Sequence, residues 1–159
     1  MSKKTTTQTT VNLSAPDLTL HPPRSPRARL GGYVILPRML DKGRAALAGK
    51  NGEYHFNCPL DQRFVTFVGI DPEALKSELA KGKGDGEILE WINTNSTAKR
   101  EPWEIANWSA YQAARVPDDL ETREFFNSLL AKLSKTREDI LGWFDLLDLD
   151  DYVSFGGRA

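Results

Sequence analysis

The only cysteine of the chain, Cys58, lies between His55, one of two histidines, and Asp61. Cys58 directly precedes Pro59, and proline is favoured at the first position of a helix. The thiol would then lie at a helix N-terminus, where free amides and the helix dipole stabilise a thiolate. With His55 as base or imidazolium partner and Asp61 as its orienting group, the segment contains the three roles that thiol chemistry requires.

The same segment also has a structural interpretation. A lone cysteine is often a small buried hydrophobic residue, and a loop need not bring His55 onto the sulfur. Asp61 is typical of the first turn of a helix, where a negative charge is favourable. We therefore expect a structural role for Cys58, and keep a thiol-dependent enzyme or a redox sensor as the alternative.

Charge is distributed unevenly along the chain. Residues 1–60 contain nine basic and three acidic side chains, a charge of +6, so the remainder carries -7. In one interpretation, which we favour, the two halves complement each other across the fold. In the other, four cations form an anion-binding basic patch for a carboxylate or phosphate, because guanidinium groups suit bidentate recognition of anions. These cations are Arg27, Arg29, Arg38 and Lys42.

The composition argues against several classes of protein. A net charge of -1 and a pI near 6.1 argue against a protein that coats nucleic acid. One cysteine cannot form an internal disulfide, and neither a secretory signal nor a membrane-length apolar run is present, so we expect a cytoplasmic protein. One cysteine and two histidines fall short of the usual zinc sites, and no familiar enzyme motif is present. We expect no metal and no cofactor, and a non-catalytic binding module for an anionic small molecule or protein.

The fold predicted from the sequence is all-α. Residues 1–16 are too polar to offset the entropy of ordering them and are expected to form a disordered tail. Residues 17–159 are expected to form one compact domain of about seven short helices, packed orthogonally because the connections are short. No alternating apolar and polar run long enough for a sheet is present.

The first predicted helix begins at Ser25 and Pro26, which form a helix-start pair, and is kinked near Gly31 and Pro37 before it ends at Gly49. Two separate elements over 26–48 are the alternative, because Val34 and Ile35 lie off the apolar stripe of a continuous helix. In this helix the segment 36–47 has an apolar face, and its charged face, with Arg38, Asp41 and Lys42, is expected to be exposed. Further helices are predicted at 59–69, where a short strand is an alternative, and at 71–82, 85–95, 101–115, 118–134 and 136–148.

Two further features have structural interpretations. The four tryptophans, at 91, 103, 108 and 143, lie in predicted amphipathic helices and are expected in the core. The acidic run "DLLDLDD" at 145–151 lacks the glycine turn of a calcium loop, so we interpret it as helix termination and capping.

Several strings together resemble a known family. They are "PRSPRARLGGYVILPRMLDKGRAALAG", "GEYHFNCPLDQRFVTFVGID", "EILEWI", "EIANW" and "TREDILGWFDLLDLDD". In order and spacing they are similar to small bacterial proteins known as domain of unknown function 5069 over roughly residues 17–151. The resemblance implies a cytosolic, mostly helical bacterial protein, and it implies no activity, substrate or catalytic residue.

Overall fold

Seven α-helices make up the regular structure of residues 15–159, the part of the chain that the computed structural model describes. They are α1 (Leu36–Leu47), α2 (Pro59–Val68), α3 (Pro72–Leu79), α4 (Asp85–Asn95), α5 (Pro102–Ala114), α6 (Leu120–Leu133) and α7 (Trp143–Ser154). No sheet occurs in this range, where one isolated bridge joins Leu30 and Tyr33. The prediction of an all-α single domain with seven helices is confirmed. The predicted tail lies, for residues 1–14, outside the described residues, and the orthogonal packing stays a prediction.

Two helices begin at an N-cap aspartate whose side chain accepts amides of the first turn. The Asp71 carboxylate accepts hydrogen bonds from two amides of the first turn of α3, and Asp119 accepts one from the Thr122 amide at the start of α6. Cys58 is the N-cap of α2 and Pro59 its first residue, as predicted. Capping groups satisfy amides that have no partner within the helix, which explains why local sequence was sufficient at these positions.

The predicted kinked helix over 26–48 is wrong, because only Leu36–Leu47 is helical. The Ser25 carbonyl accepts a hydrogen bond from the amide three residues on (3.0 Å), which closes a turn where a helix start was expected. Gly31, Gly32 and Ile35 then have φ values of 58°, 83° and 72°. Such left-handed residues cannot belong to a right-handed helix, and three of them within five positions exclude one there.

The N-cap of helix α7 lies six residues later than predicted. The Ser134 hydroxyl accepts the amides of Thr136 and Arg137 (both 3.2 Å), so the expected helix start at Thr136 belongs to a turn after α6. Gly142 is the N-cap of α7 instead, and its amide donates to the Asp145 carboxylate (3.0 Å). The acidic run that we interpreted as helix termination therefore lies inside α7.

The main core surrounds α1, in which every residue from Leu36 to Gly43 is buried. Apolar side chains of α1 to α4 and Phe144 of α7 pack into this core, while a smaller cluster joins α6 to α7 around Phe126. Trp91 and Trp108 pack against the main core and Trp143 against the smaller one. The expectation of a core position is wrong for Trp103, which is 66% exposed.

The burial of α1 on all sides corrects the helical-face prediction for its charged residues. Arg38, Asp41 and Lys42 were expected to face solvent, yet all three are buried. A buried charge is expensive unless it is paired, so each of them needs a partner of opposite charge from another part of the chain. None of the helices in residues 15–159 combines the length and hydropathy needed to cross a bilayer.

Candidate functional site

A cleft of about 550 Å³ opens between α1, the loop that precedes α2, and the second half of α7. Helix α1 contributes the buried side chains of Arg38 and Lys42, and the loop and α7 contribute most of the other lining residues. The lining side chains that matter for its chemistry are Arg38, Lys42, Glu53, Tyr54, His55, Cys58, Leu147 and Asp150.

Lys42 forms one half of the cleft floor, a name we use for Arg38 and Lys42 together with their carboxylate partners. The Lys42 ammonium is 2.9 and 2.8 Å from the two oxygens of Asp61 and 3.1 Å from Sγ of Cys58. Asp61 is completely buried and also accepts the amides of Asn57 (2.9 Å) and Cys58 (3.4 Å). Three acceptors thus surround an ammonium that has three hydrogens to donate.

Arg38 forms the other half of the floor through Asp151 of α7. Its guanidinium donates to both Asp151 oxygens (2.6 and 3.1 Å) and to the carbonyl of Arg24 (3.1 Å). The Tyr54 hydroxyl donates to the same carboxylate at 2.7 Å. Burial, followed by this hydrogen bond and the negative charge of Asp151, raises the pKa of Tyr54 well above its ordinary value. Tyr54 therefore remains a neutral donor, and the three side chains attach the loop to α1 and α7.

The structure brings Cys58 and His55 to the same cleft but does not connect them. His55 is exposed, and among the described residues it forms no hydrogen bond with Cys58 or Asp61. Asp61 binds Lys42 and caps α2, so it does not orient His55. The polar group next to the sulfur is Lys42, which the sequence analysis had assigned to the anion patch. A reactive role for Cys58 stays a prediction.

The four cations of the predicted anion patch occupy different environments. Arg27 is exposed and pairs with Asp145 and Asp148 of α7. Arg29 is exposed, and its guanidinium is 3.5 Å from the Gly32 carbonyl. The other two, Arg38 and Lys42, lie in the cleft floor, where an added anion must compete with Asp151 and Asp61. Anion binding by these four residues stays a prediction.

The charge asymmetry of the sequence is explained by pairing across the fold. Arg24 bridges Asp41 and Asp85, and Arg44 binds the other oxygen of Asp85. Burial acts to raise the pKa of Asp85, but the hydrogen bonds from Arg24 and Arg44 outweigh it and hold that pKa below its ordinary value. Basic residues from the first 60 positions that pair with carboxylates of the remainder are Arg24, Arg27, Arg38, Lys42 and Arg44. The two halves complement each other, as the favoured interpretation predicted.

Two carboxylates at the cleft mouth, Glu53 and Asp150, differ from those of the floor, and we call them the cleft rim. Both are exposed, and within residues 15–159 neither forms an ion pair. Asp150 accepts only the hydroxyl of Ser154 (3.3 Å). In the same part of the chain, no three His, Cys, Asp or Glu side chains are arranged to hold a metal ion.

The fold and the cleft can now be compared with known proteins. Residues 20–153 match the family described as a domain of unknown function, number 5069. The chain belongs to this family. The match includes six of the helices completely and all but the last residue of α7. The floor and rim of the cleft lie within the matched range, whereas four lining residues lie just outside it: Leu18, Thr19, Ser154 and Phe155. No curated protein matches the chain significantly. The family description assigns no chemistry to the domain, which leaves the geometry of the cleft as the basis for a functional proposal.

Proposed function

We propose that this member of the family is a non-catalytic binding module whose cleft takes a small molecule. The cleft volume of about 550 Å³ carries the proposal. Small-molecule sites are typically concave, roughly 300–1,000 Å³ in volume, and mainly apolar with a few polar groups. Leu18, Leu60, Leu147 and Phe155 provide such apolar walls here.

Buried ion pairs hold the side chains of the cleft floor in place, which favours binding. Its floor is held by the Arg38–Asp151 and Lys42–Asp61 ion pairs, and Tyr54 attaches the loop wall to the same network. A ligand that enters a preformed site loses less free energy to ordering of the protein. The floor therefore provides a preformed surface that a ligand can recognise by its shape.

A blocking variant tests the proposal in a thermal-shift screen of a small-molecule metabolite panel. Leu147→Trp should fill the cleft, while Leu120→Trp places the same substitution on an exposed residue of α6. We expect at least one compound to raise the melting temperature of the wild type and of Leu120→Trp, but not of Leu147→Trp. A panel without any binder, or one whose binders still stabilise a folded Leu147→Trp, would contradict the proposal.

A thiol-dependent enzyme or redox sensor is the second candidate, favoured by one contact. Lys42 Nζ lies 3.1 Å from Cys58 Sγ at the N-terminus of α2, and the sulfur lines the cleft. A neighbouring cation and a helix N-terminus are the surroundings in which cysteine thiolates are stabilised. In this proposal Lys42, and not His55, is the electrostatic partner of the sulfur.

We propose that the protein is bacterial and that it is located in the cytoplasm. A single cysteine makes the fold independent of an oxidising environment. The bacterial origin rests on the family resemblance of the sequence. Fractionation of the native protein, with periplasmic and membrane markers measured alongside, tests this assignment.

A further inference from the structure

Charges that line the cleft divide into paired cations at the floor and unpaired carboxylates at the rim. Among the described residues that line the cleft, Arg38 and Lys42 are the only lysine or arginine side chains. Each forms an ion pair with a carboxylate behind it, Asp151 or Asp61, so each pair is neutral as a unit. Within residues 15–159, the charge that remains at the cleft is that of the rim, two negative groups on Glu53 and Asp150.

The floor and the rim also differ in their capacity to form further hydrogen bonds. The Lys42 ammonium is surrounded by three acceptors, and the Arg38 guanidinium donates to Asp151 and to the Arg24 carbonyl. An anionic ligand would have to displace one of these buried carboxylates, which leaves a charge without its partner and is expensive. The rim carboxylates are acceptors that already face water, so a donor can reach them without breaking any ion pair.

From this division we infer that the cleft binds an organic amine in its protonated form, an inference that rests on the proposed binding function. Its ammonium binds at the rim, where Glu53 and Asp150 are the carboxylates available to accept its hydrogens. Its apolar body contacts the side chains of Leu147 and Leu60 in the cleft wall. Tyr54 and Phe155 also line the cleft, and aromatic rings are favourable neighbours for a cation.

Three six-carbon probes separate charge from shape: hexylammonium, hexanoate and hexanol. They share an apolar chain and differ in head group, so a comparison of their affinities reports the sign of charge that the cleft prefers. Each is titrated at matched ionic strength, with binding followed by amide chemical shifts of the full chain.

We expect hexylammonium to perturb amides around the cleft and to bind roughly tenfold more tightly than hexanoate or hexanol, because each exposed ion pair contributes up to about fivefold in affinity. The double variant Glu53→Gln/Asp150→Asn should remove most of that preference. Glu121→Gln/Glu124→Gln, which removes two exposed carboxylates of α6, is the matched control and should leave it unchanged.

Two results would overturn the inference. Hexanoate or hexanol binding in the cleft as tightly as hexylammonium would show that a positive charge is not selected, while leaving the proposed binding function intact. A hexylammonium affinity equal in the wild type and in the folded rim variant would show that Glu53 and Asp150 do not recognise the amine. Failure of the proposed function itself is detected separately, by the metabolite screen with Leu147→Trp.

Discussion

The floor of the cleft contains four charged side chains in two buried ion pairs, whereas the rim contains two exposed carboxylates. Lys42 and Arg38 are only 3% and 4% exposed, and their carboxylate partners are buried with them. Glu53 and Asp150 are exposed and form no ion pair within residues 15–159. Burial makes an unpaired charge expensive, whereas a solvated one can remain single at little cost. Charges of the floor therefore hold the structure together, and those of the rim remain available to a ligand.

Loss of a floor carboxylate should have the largest effect. Asp61→Ala leaves the Lys42 ammonium buried without its partner and removes the acceptor for the amides of Asn57 and Cys58. We expect the free energy of unfolding to fall by about 3–5 kcal/mol, the range for a broken buried ion pair. Urea denaturation followed by circular dichroism measures this loss.

A double variant provides the control for that measurement. Lys42→Met/Asp61→Asn removes both charges and keeps an acceptor oxygen near the start of α2, so it should recover part of the stability lost in Asp61→Ala. A loss below about 1 kcal/mol in Asp61→Ala would mean that the floor pair does not hold the structure.

In exposure, Asp85 is intermediate between the buried carboxylates of the floor and the exposed carboxylates of the rim. Its side chain is partly exposed and pairs with Arg24 and Arg44. Asp85→Asn should destabilise the protein at neutral pH by about 1 kcal/mol or less, as solvent screens a partly exposed pair. The pKa of Asp85 is lowered in the folded state, so its contribution is present above the ordinary value of 3.8 and is lost as the pH falls through the folded value. Denaturation at several pH values should show the two proteins converging in acid. A difference that grows as the pH falls would contradict this account.

Substitutions at the rim should change stability least. Glu53→Gln/Asp150→Asn removes two exposed carboxylates that form no ion pair with any other described residue, so the unfolding free energy should stay within about 0.5 kcal/mol of the wild type. The same urea denaturation used for Asp61→Ala measures it. A loss of 2 kcal/mol or more, of the order of a broken buried pair, would place the rim in the structural network with the floor.

Cys58 lines the cleft next to the floor, and its reactivity shows whether Lys42 or His55 influences the thiol. Because His55 forms no hydrogen bond to the sulfur among the described residues, the rate of iodoacetamide alkylation across a pH series should be equal in His55→Ala and the wild type within about twofold. Lys42→Met/Asp61→Asn, which removes the ammonium 3.1 Å from Sγ, should react more slowly near neutral pH. A large decrease in the alkylation rate of His55→Ala alone would contradict this account and identify His55 as the partner of the thiol.

Local sequence was sufficient for features whose physical cause is local. Asp71 and Pro72 predicted the start of α3, and Pro59 predicted that Cys58 caps α2, because capping depends on residues within one turn. The glycines near position 31 were read as a kink in a helix. In the structure they adopt left-handed conformations within a turn, and Ile35 adopts one too, which a β-branched residue rarely does and the sequence did not reveal.

The cleft floor could not be predicted, since its pairs connect distant parts of the chain. The partners of Arg38 and Lys42 are 113 and 19 residues away, and neither spacing leaves a helical or strand pattern. The helical-face prediction for α1 assumed that only one side of the helix is buried, whereas the helix is enclosed by several neighbours. The uneven charge of the two halves was the one available signal, and it predicted complementarity without identifying the pairs.

Chemical-shift mapping tests the central claim, that the cleft is the ligand site, most directly. Compounds that stabilise the protein in the metabolite screen are added to the full chain, and perturbed amides are assigned. The account predicts that the perturbed amides lie in the loop 52–58, in α1 around Lys42 and in the second half of α7, and that Leu147→Trp abolishes the changes. Perturbations confined to the exposed α5 surface around Trp103 and Tyr111, with the cleft amides unchanged, would contradict it.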